Sequence, residues 1–162
     1  DVFLFSGSIL DNIRMGNQEM RQKEIESISH AVSSHNFISN LPFKYEQELN
    51  EDDISSGQRQ LLSFARALAA EPKILVLDEA TSNVDLETER QIQKGIKEMT
   101  RGRTSIIIAH RLSTLMHVDK VLVLKKGEVI EFGKRKELLQ QKGIFYQLCQ
   151  AQIKLEQSRV GS

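Results

Sequence analysis

The chain has 162 residues, 40% hydrophobic and 27% charged, proportions ordinary for a globular chain long enough to build a core. Lys+Arg and Asp+Glu balance at 22 each, so no bulk charge draws it to nucleic acid or an anionic membrane surface. A single cysteine, Cys149, rules out an internal disulfide framework and fits a reducing compartment, no apolar run approaches the ~20 residues of a membrane-spanning helix, and we expect no signal peptide in it.

Val2 to Phe5 is a short apolar run that begins in mid-pattern without a Met, so we expect sequence upstream of it. The turn-prone Ser6-Gly7-Ser8 and then Ile9-Leu10 follow, closed by Asn12-Ile13 before the polar Arg14-Met15-Gly16-Asn17. Ile25, Ile28, Ala31 and Val32 recur at helical spacing, which predicts a helix from about Gln22 to His35; Phe37, Ile38 and Leu41 carry that apolar surface on to Pro42. The run from 43 to 53 holds Glu46, Glu48, Glu51, Asp52 and Asp53 and reads as a solvated acidic loop. Ser55 and Ser56 then offer N-cap oxygens to a helix reaching about Ala70, with Leu61, Leu62, Ala65, Leu68 and Ala69 as its buried stripe and Glu71-Pro72 as its stop. Small residues before a helix leave backbone N–H groups and the positive end of the dipole open to an anion. An ordinary capped helix has the same sequence.

After Pro72, Ile74-Leu75-Val76-Leu77 predicts a strand buried on both faces of a parallel sheet, with Asp78 and Glu79 where it ends. Ligands of open parallel sheets bind at the carboxyl ends of strands. There Asp78 suits a hydrated Mg²⁺, and Glu79 suits polarising a water for in-line attack on a phosphoryl group; a pair that only caps a turn is the alternative. Asp85 stands at the N-cap of a helix over about 86–99, with Glu87 and Glu89 in its first turn and Ile92, Ile96 and Met99 on one face. Ser105 to Ala109 predicts a second buried strand, ending at His110, which suits a hydrogen bond to phosphate or water and equally a structural role. Next come a helical stretch from Arg111 to Met116, a strand from Lys120 to Leu124, a turn at Lys125-Lys126-Gly127 and a return strand from Glu128 to Phe132. Two short helices near 136–141 and 144–157 finish the chain before a frayed tail at 158–162, and Cys149 reads as a buried small hydrophobe on the second.

A strand ending in Asp-Glu, a later strand ending in His and a serine-capped helix before both form a phosphoryl-transfer set. Their order resembles the ATP-binding cassette (ABC) ATPases, and specifically the nucleotide-binding domain of an ABC exporter. Ile54-Ser55-Ser56-Gly57-Gln58-Arg59-Gln60 is similar to the signature Leu-Ser-Gly-Gly-Gln, Ile74 to Glu79 to the Walker B strand, and Ser82-Asn83-Val84-Asp85 to the D-loop. His110 with Arg111-Leu112-Ser113-Thr114 is similar to the switch-histidine region, and Phe5-Ser6-Gly7-Ser8-Ile9 with Asn12-Ile13 to the segment after the Q-loop. The resemblance implies a P-loop NTPase-like α/β fold, a mostly parallel sheet flanked by helices. About 10–70 would be the helical subdomain with the signature, about 71–135 the catalytic core with Walker B, D-loop and H-loop, and about 136–162 C-terminal helices.

The same resemblance implies the chemistry. Asp78 would support Mg²⁺ through water, Glu79 would be the general base or water-orienter, and His110 would contact the γ-phosphate of ATP. Ser55, Ser56, Gly57 and Gln58 would serve the ATP held by a second nucleotide-binding domain, with Ser82 and Asp85 of the D-loop across the same head-to-tail interface. The partners implied are that second domain, in a homodimer or heterodimer, and a transmembrane domain; no nucleic acid is expected, and the setting is the cytoplasmic face of a membrane.

The chain departs from the family pattern in several places. No Gly-x-x-x-x-Gly-Lys-Ser/Thr occurs in it, so we expect it by itself neither to bind ATP tightly nor to hydrolyse it, and to expose apolar sheet surface. Ser56 replaces the first signature glycine, and Glu48 and Glu51 stand where exporters usually have glycines, which fits either a weakened site in an asymmetric pair or drift in a loop. Asn83 is a milder change. The competing readings are a soluble ABC ATPase not linked to transport and a non-catalytic chain that only binds a partner.

Overall fold

The computed structural model describes residues 3–15, 17–50, 53–78, 84–109 and 114–160, with side chains as far as 154. Two compact units divide the chain, Asp1–Ile108 and Ala109–Ser162.

In the first unit, short helix α1 (Ile9–Arg14) starts on a reciprocal cap. Ser8 Oγ accepts the Asp11 N–H at 3.1 Å while the Asp11 carboxylate accepts the Ser8 hydroxyl at 2.7 Å. Helix α2 (Gln22–Ala31) and α3 (His35–Ser39) replace the single helix predicted over about 22–35. The break has a backbone cause: Ser33 takes a left-handed φ of 65°, and the Ser34 N–H returns to the Ser29 carbonyl at 2.8 Å. The acidic loop is more anchored than its composition suggests. Glu46 and Glu48 are exposed as expected, but Tyr45 and Leu49 are buried, and Glu48 forms an isolated antiparallel bridge with Ser8.

Helix α4 (Ser56–Ala69) buries Leu61, Leu62, Phe64 and Ala65, and helix α5 (Leu86–Thr100) buries Ile92, Ile96 and Met99 beside it. These join Ile9, Ile13, Ile25, Val32 and Ile38 in one core. Arg66, in the last turn of α4, reaches back across that core's edge to the start of the chain: its guanidinium donates to the Phe3 carbonyl at 2.9 Å, the Asn12 carbonyl at 3.2 Å and Asn12 Oδ1 at 2.9 Å. It also lies 4.8 Å from the centre of the Phe5 ring.

Of the expected mostly parallel sheet, the described residues show one parallel pair, β1 (Ile74–Asp78) with β2 (Thr104–Ile108), in the register Leu75↔Ser105, Val76↔Ile106 and Asp78↔Ile108. The strand pattern predicts burial on both faces, which the structure does not show, whereas the apolar sheet surface expected to be exposed in this chain is exposed. Leu75, Leu77 and Ile107 face the helical core, while Ile74, Val76, Ile106 and Ile108 are 65%, 63%, 57% and 49% exposed. Side chains alternate along a strand, and among the described residues of this unit the helical core packs on one face of the pair.

The second unit opens, among its described residues, with a 3-10 turn at Thr114–His117 where a helical stretch from Arg111 was predicted; 111–113 lie outside the described residues. The hairpin forms as predicted from β3 (Lys120–Lys125) and β4 (Glu128–Lys134), in a separate antiparallel sheet. Its two turn residues, Lys126 and Gly127, both have positive φ, 52° and 83°, which matches the twist of a tight hairpin. Helix α6 (Arg135–Gln141) and α7 (Ile144–Val160) follow, and Val121, Val123, Leu138, Phe145 and Cys149 form the small core. Cys149 is buried on its helix, as read, and burial pushes its thiol up. A side chain from β4 caps α7: the Glu131 carboxylate accepts the N–H groups of Ile144 and Phe145 at 2.5 and 3.0 Å.

Candidate functional site

The candidate residues fall on two kinds of element. Asp78 is the last residue of β1, exposed, and aligned with Ile108 where the two parallel strands end together. An exposed carboxylate at that end is the donor type a hard, hydrated cation takes. Glu79, Ser82 and His110 lie outside the described residues.

Ser55 to Gln58 form the start of α4. The helix is closed by a reciprocal box in which the Gln58 N–H donates to Ser55 Oγ at 3.2 Å and the Ser55 N–H donates to Gln58 Oε1 at 2.9 Å. Ser55 and Ser56 are exposed, whereas Gly57 is buried. Ser56, the residue whose extra Cβ the sequence singled out, therefore sits in the open. Gly57 is the crowded position: a Cβ there would run into the Thr88 methyl and stand 3.1 Å from Val84 Cγ1. The two helix starts thus meet face to face.

Asp85 caps α5 as expected, its carboxylate accepting the Thr88 N–H at 2.9 Å. The hydroxyl of Thr88, and then its N–H, hold the Asp85 carboxyl below the ordinary aspartate value of 3.8. Thr88 therefore links the two candidate segments. Its methyl packs on Gly57 while its polar groups hold Asp85. Thr88 carries only a faint mark in the sequence, its place three residues after an N-cap Asp, where the capped N–H belongs. Arg66 is marked just as faintly, as a charge at the edge of an apolar helix stripe.

The structure does not bring every candidate together. Among the described residues no hydrogen bond or ion pair joins Asp78 to Ser55–Gln58, and no group of three or more His, Cys, Asp or Glu residues is placed to hold a metal. A cleft of about 620 Å³ opens elsewhere, among Ile13, Met15, Met20, Arg66 and Ala69, and none of the candidate residues lines it. No described helix is long and apolar enough to cross a membrane.

Comparison with known proteins fits this set of motifs. Residues 3–82 match the family model described as ABC transporter. An uncharacterized ABC transporter ATP-binding protein of Bacillus subtilis, YfiC, is 46% identical over 155 residues, which is 94% of this chain and 26% of that protein. A probable multidrug resistance ABC transporter ATP-binding/permease protein of the same organism, YheH, is 44% identical over 94% of this chain and 23% of its own length. The ATP-dependent lipid A-core flippase of Syntrophus aciditrophicus is 42% identical over 93% of this chain and 26% of its own length. The chain spans about a quarter of the length of these relatives. On the family match and on identity that runs through nearly the whole chain, it belongs to the ABC transporter ATP-binding protein family.

Proposed function

We propose that this chain is part of the ATP-hydrolysing motor of an ABC exporter, working at the cytoplasmic face of a membrane with a transmembrane domain and a second nucleotide-binding domain, identical or not. The observation that carries the reading is the exposed carboxylate of Asp78 at the carboxyl end of a parallel strand pair, followed directly in sequence by Glu79. Similarity to a probable multidrug resistance ATP-binding/permease protein and to a lipid A-core flippase supports the exporter part.

In this reading residues of about 10–70 act as the helical subdomain, about 71–135 as catalytic core and about 136–162 as C-terminal helices. Asp78 holds a hydrated Mg²⁺, which supplies charge neutralisation for the phosphates. Glu79 orients and deprotonates the attacking water, and His110 contacts the γ-phosphate. Ser55, Ser56, Gly57 and Gln58 receive the ATP of the partner domain. The exposed Ser55 and Ser56 at a helix start suit an anion brought from outside the chain, and the Gly57–Thr88–Asp85 contact supports a shared role for signature and D-loop, with Ser82 beside them in sequence.

The chain as it stands, with no P-loop motif, binds no ATP tightly in this reading. ATP binding and turnover measured on it, and on a polypeptide extended upstream through a P-loop, test both halves. Only the extended form is expected to bind, and Glu79→Gln in it should keep binding while turnover falls about 10²–10⁴-fold. Micromolar ATP binding by the 162-residue chain alone would sink the first half. Unchanged turnover in the Gln variant would sink the second.

A further inference from the structure

The first described stretch of the chain is fastened to the loop that precedes α4 and to the last turn of the helix itself. Ahead of the helix, the Ile9 N–H donates to the Gln47 carbonyl at 3.0 Å, and Ser8 bridges Glu48. In the helix's last turn Arg66 holds the Phe3 carbonyl, the Asn12 carbonyl and Asn12 Oδ1. Asn12 is itself 1% exposed and fully used. Its Oδ1 accepts from the Phe5 N–H at 2.9 Å as well as from Arg66, and its Nδ2 donates to the Phe5 and Ser8 carbonyls at 2.9 and 3.0 Å. An amide offers two acceptor sites and two donors, and here all four are taken. The side chain acts toward Phe5 as a neighbouring strand would, and Arg66 locks that amide to the helix.

We propose that Asn12 and Arg66 form a rigid joint that makes residues 3–14 and α4 one mechanical body, with Arg66 as a positioning residue for Ser55–Gln58. The helix carries any displacement of the stretch from Arg66 to its other end, about 16 Å away at 1.5 Å per residue. The second tie, at Ser8 and Ile9, holds the same stretch to the loop at Gln47 and Glu48. Charge alone does not make this joint. A planar guanidinium serves three acceptors in fixed directions, whereas a lysine ammonium on a flexible stem does not hold them together. The consequence for ATP turnover rests on the function proposed above; the joint itself does not.

The test uses the intact polypeptide that carries this chain, as Arg66→Lys, Asn12→Ala and the double variant. Amide exchange is followed over 3–12 and 56–69, with kcat and KM for ATP expressed per folded molecule. Exchange over 3–12 should rise about 5–10-fold in each variant while 56–69 stays protected. Turnover should fall roughly 10–100-fold with KM changed less than about two-fold, because misplacement of a distant positioning group costs rate. The double variant should lose no more than the worse single one. Unchanged exchange in Arg66→Lys overturns the joint, and that variant decides alone if Asn12→Ala loses its helix content. Raised exchange with unchanged kcat per folded molecule overturns the positioning role. If the wild-type polypeptide turns over no ATP, the ATPase reading falls, and the exchange data still decide the joint.

Discussion

The strands of the first unit are more apolar in sequence than its helices, yet the helices bury their apolar residues more completely. Ile25, Leu61, Leu62, Ile92 and Met99, on α2, α4 and α5, are fully buried. The β1–β2 pair buries one face and leaves Ile74, Val76, Ile106 and Ile108 outward. An amphipathic helix asks for one partner surface and finds it within this chain. A doubly apolar strand asks for a layer on each side. The largest contrast in stability follows from that difference. Leu61→Ala should cost about 2–5 kcal/mol, from lost transfer energy and the cavity left behind. Val76→Thr in the same chain should change stability by less than about 0.5 kcal/mol. Denaturant unfolding of both variants measures it, and equal costs would break the comparison.

A smaller effect tests how closely the helical side is packed. Gly57 looks like a residue kept small for a ligand, but the atom that blocks a Cβ there is the Thr88 methyl of α5. Gly57→Ala should therefore cost about 1–3 kcal/mol by overpacking. Thr88→Ser removes that methyl and keeps a hydroxyl for Asp85, so the double variant should recover most of the loss. Recovery isolates the α4–α5 approach as the cause. A Gly57→Ala variant as stable as wild type would show that the helices separate easily, and that the signature glycine is small for another reason.

What could be read from the sequence follows the range of the interactions. Local signals carried well: the Ser55 and Asp85 caps, the stop before Pro72 and the hairpin turn at Lys126-Gly127 all depend on near neighbours in the chain. The left-handed Ser33 that divides α2 from α3 did not carry, because Ser is not marked for that conformation as Gly is. The Arg66–Asn12 joint and the Glu131 cap of α7 were out of reach for a different reason. Each depends on one side chain meeting backbone far along the chain, and no periodicity records that. In the candidate site, Asp78 and Asp85 were legible as strand end and helix start, but the Thr88 contact that ties Asp85 to Gly57 exists only once two helices pack.

The smallest effect separates the two caps that this contact joins. Ser55 and Gln58 close α4 with neutral groups, so that cap does not titrate. Asp85 closes α5 with a carboxylate held below 3.8 by the Thr88 hydroxyl and N–H. A carboxyl whose folded pKa lies below its unfolded one contributes stability that is present above the unfolded value and lost as pH falls through the folded value. The change therefore belongs below about pH 4. Asp85→Asn keeps a good cap oxygen and removes the charge. Its Tm should fall less than wild type's between pH 7 and pH 3, with the two proteins converging at the acid end. A residual slope is expected from Asp11, whose carboxyl is held low mainly by the Ser8 hydroxyl and N–H, and adding Asp11→Asn should flatten the profile further. An Asp85→Asn profile parallel to wild type would mean that the α5 cap does not depend on charge, and that the two helix starts differ only in which residue supplies the oxygen.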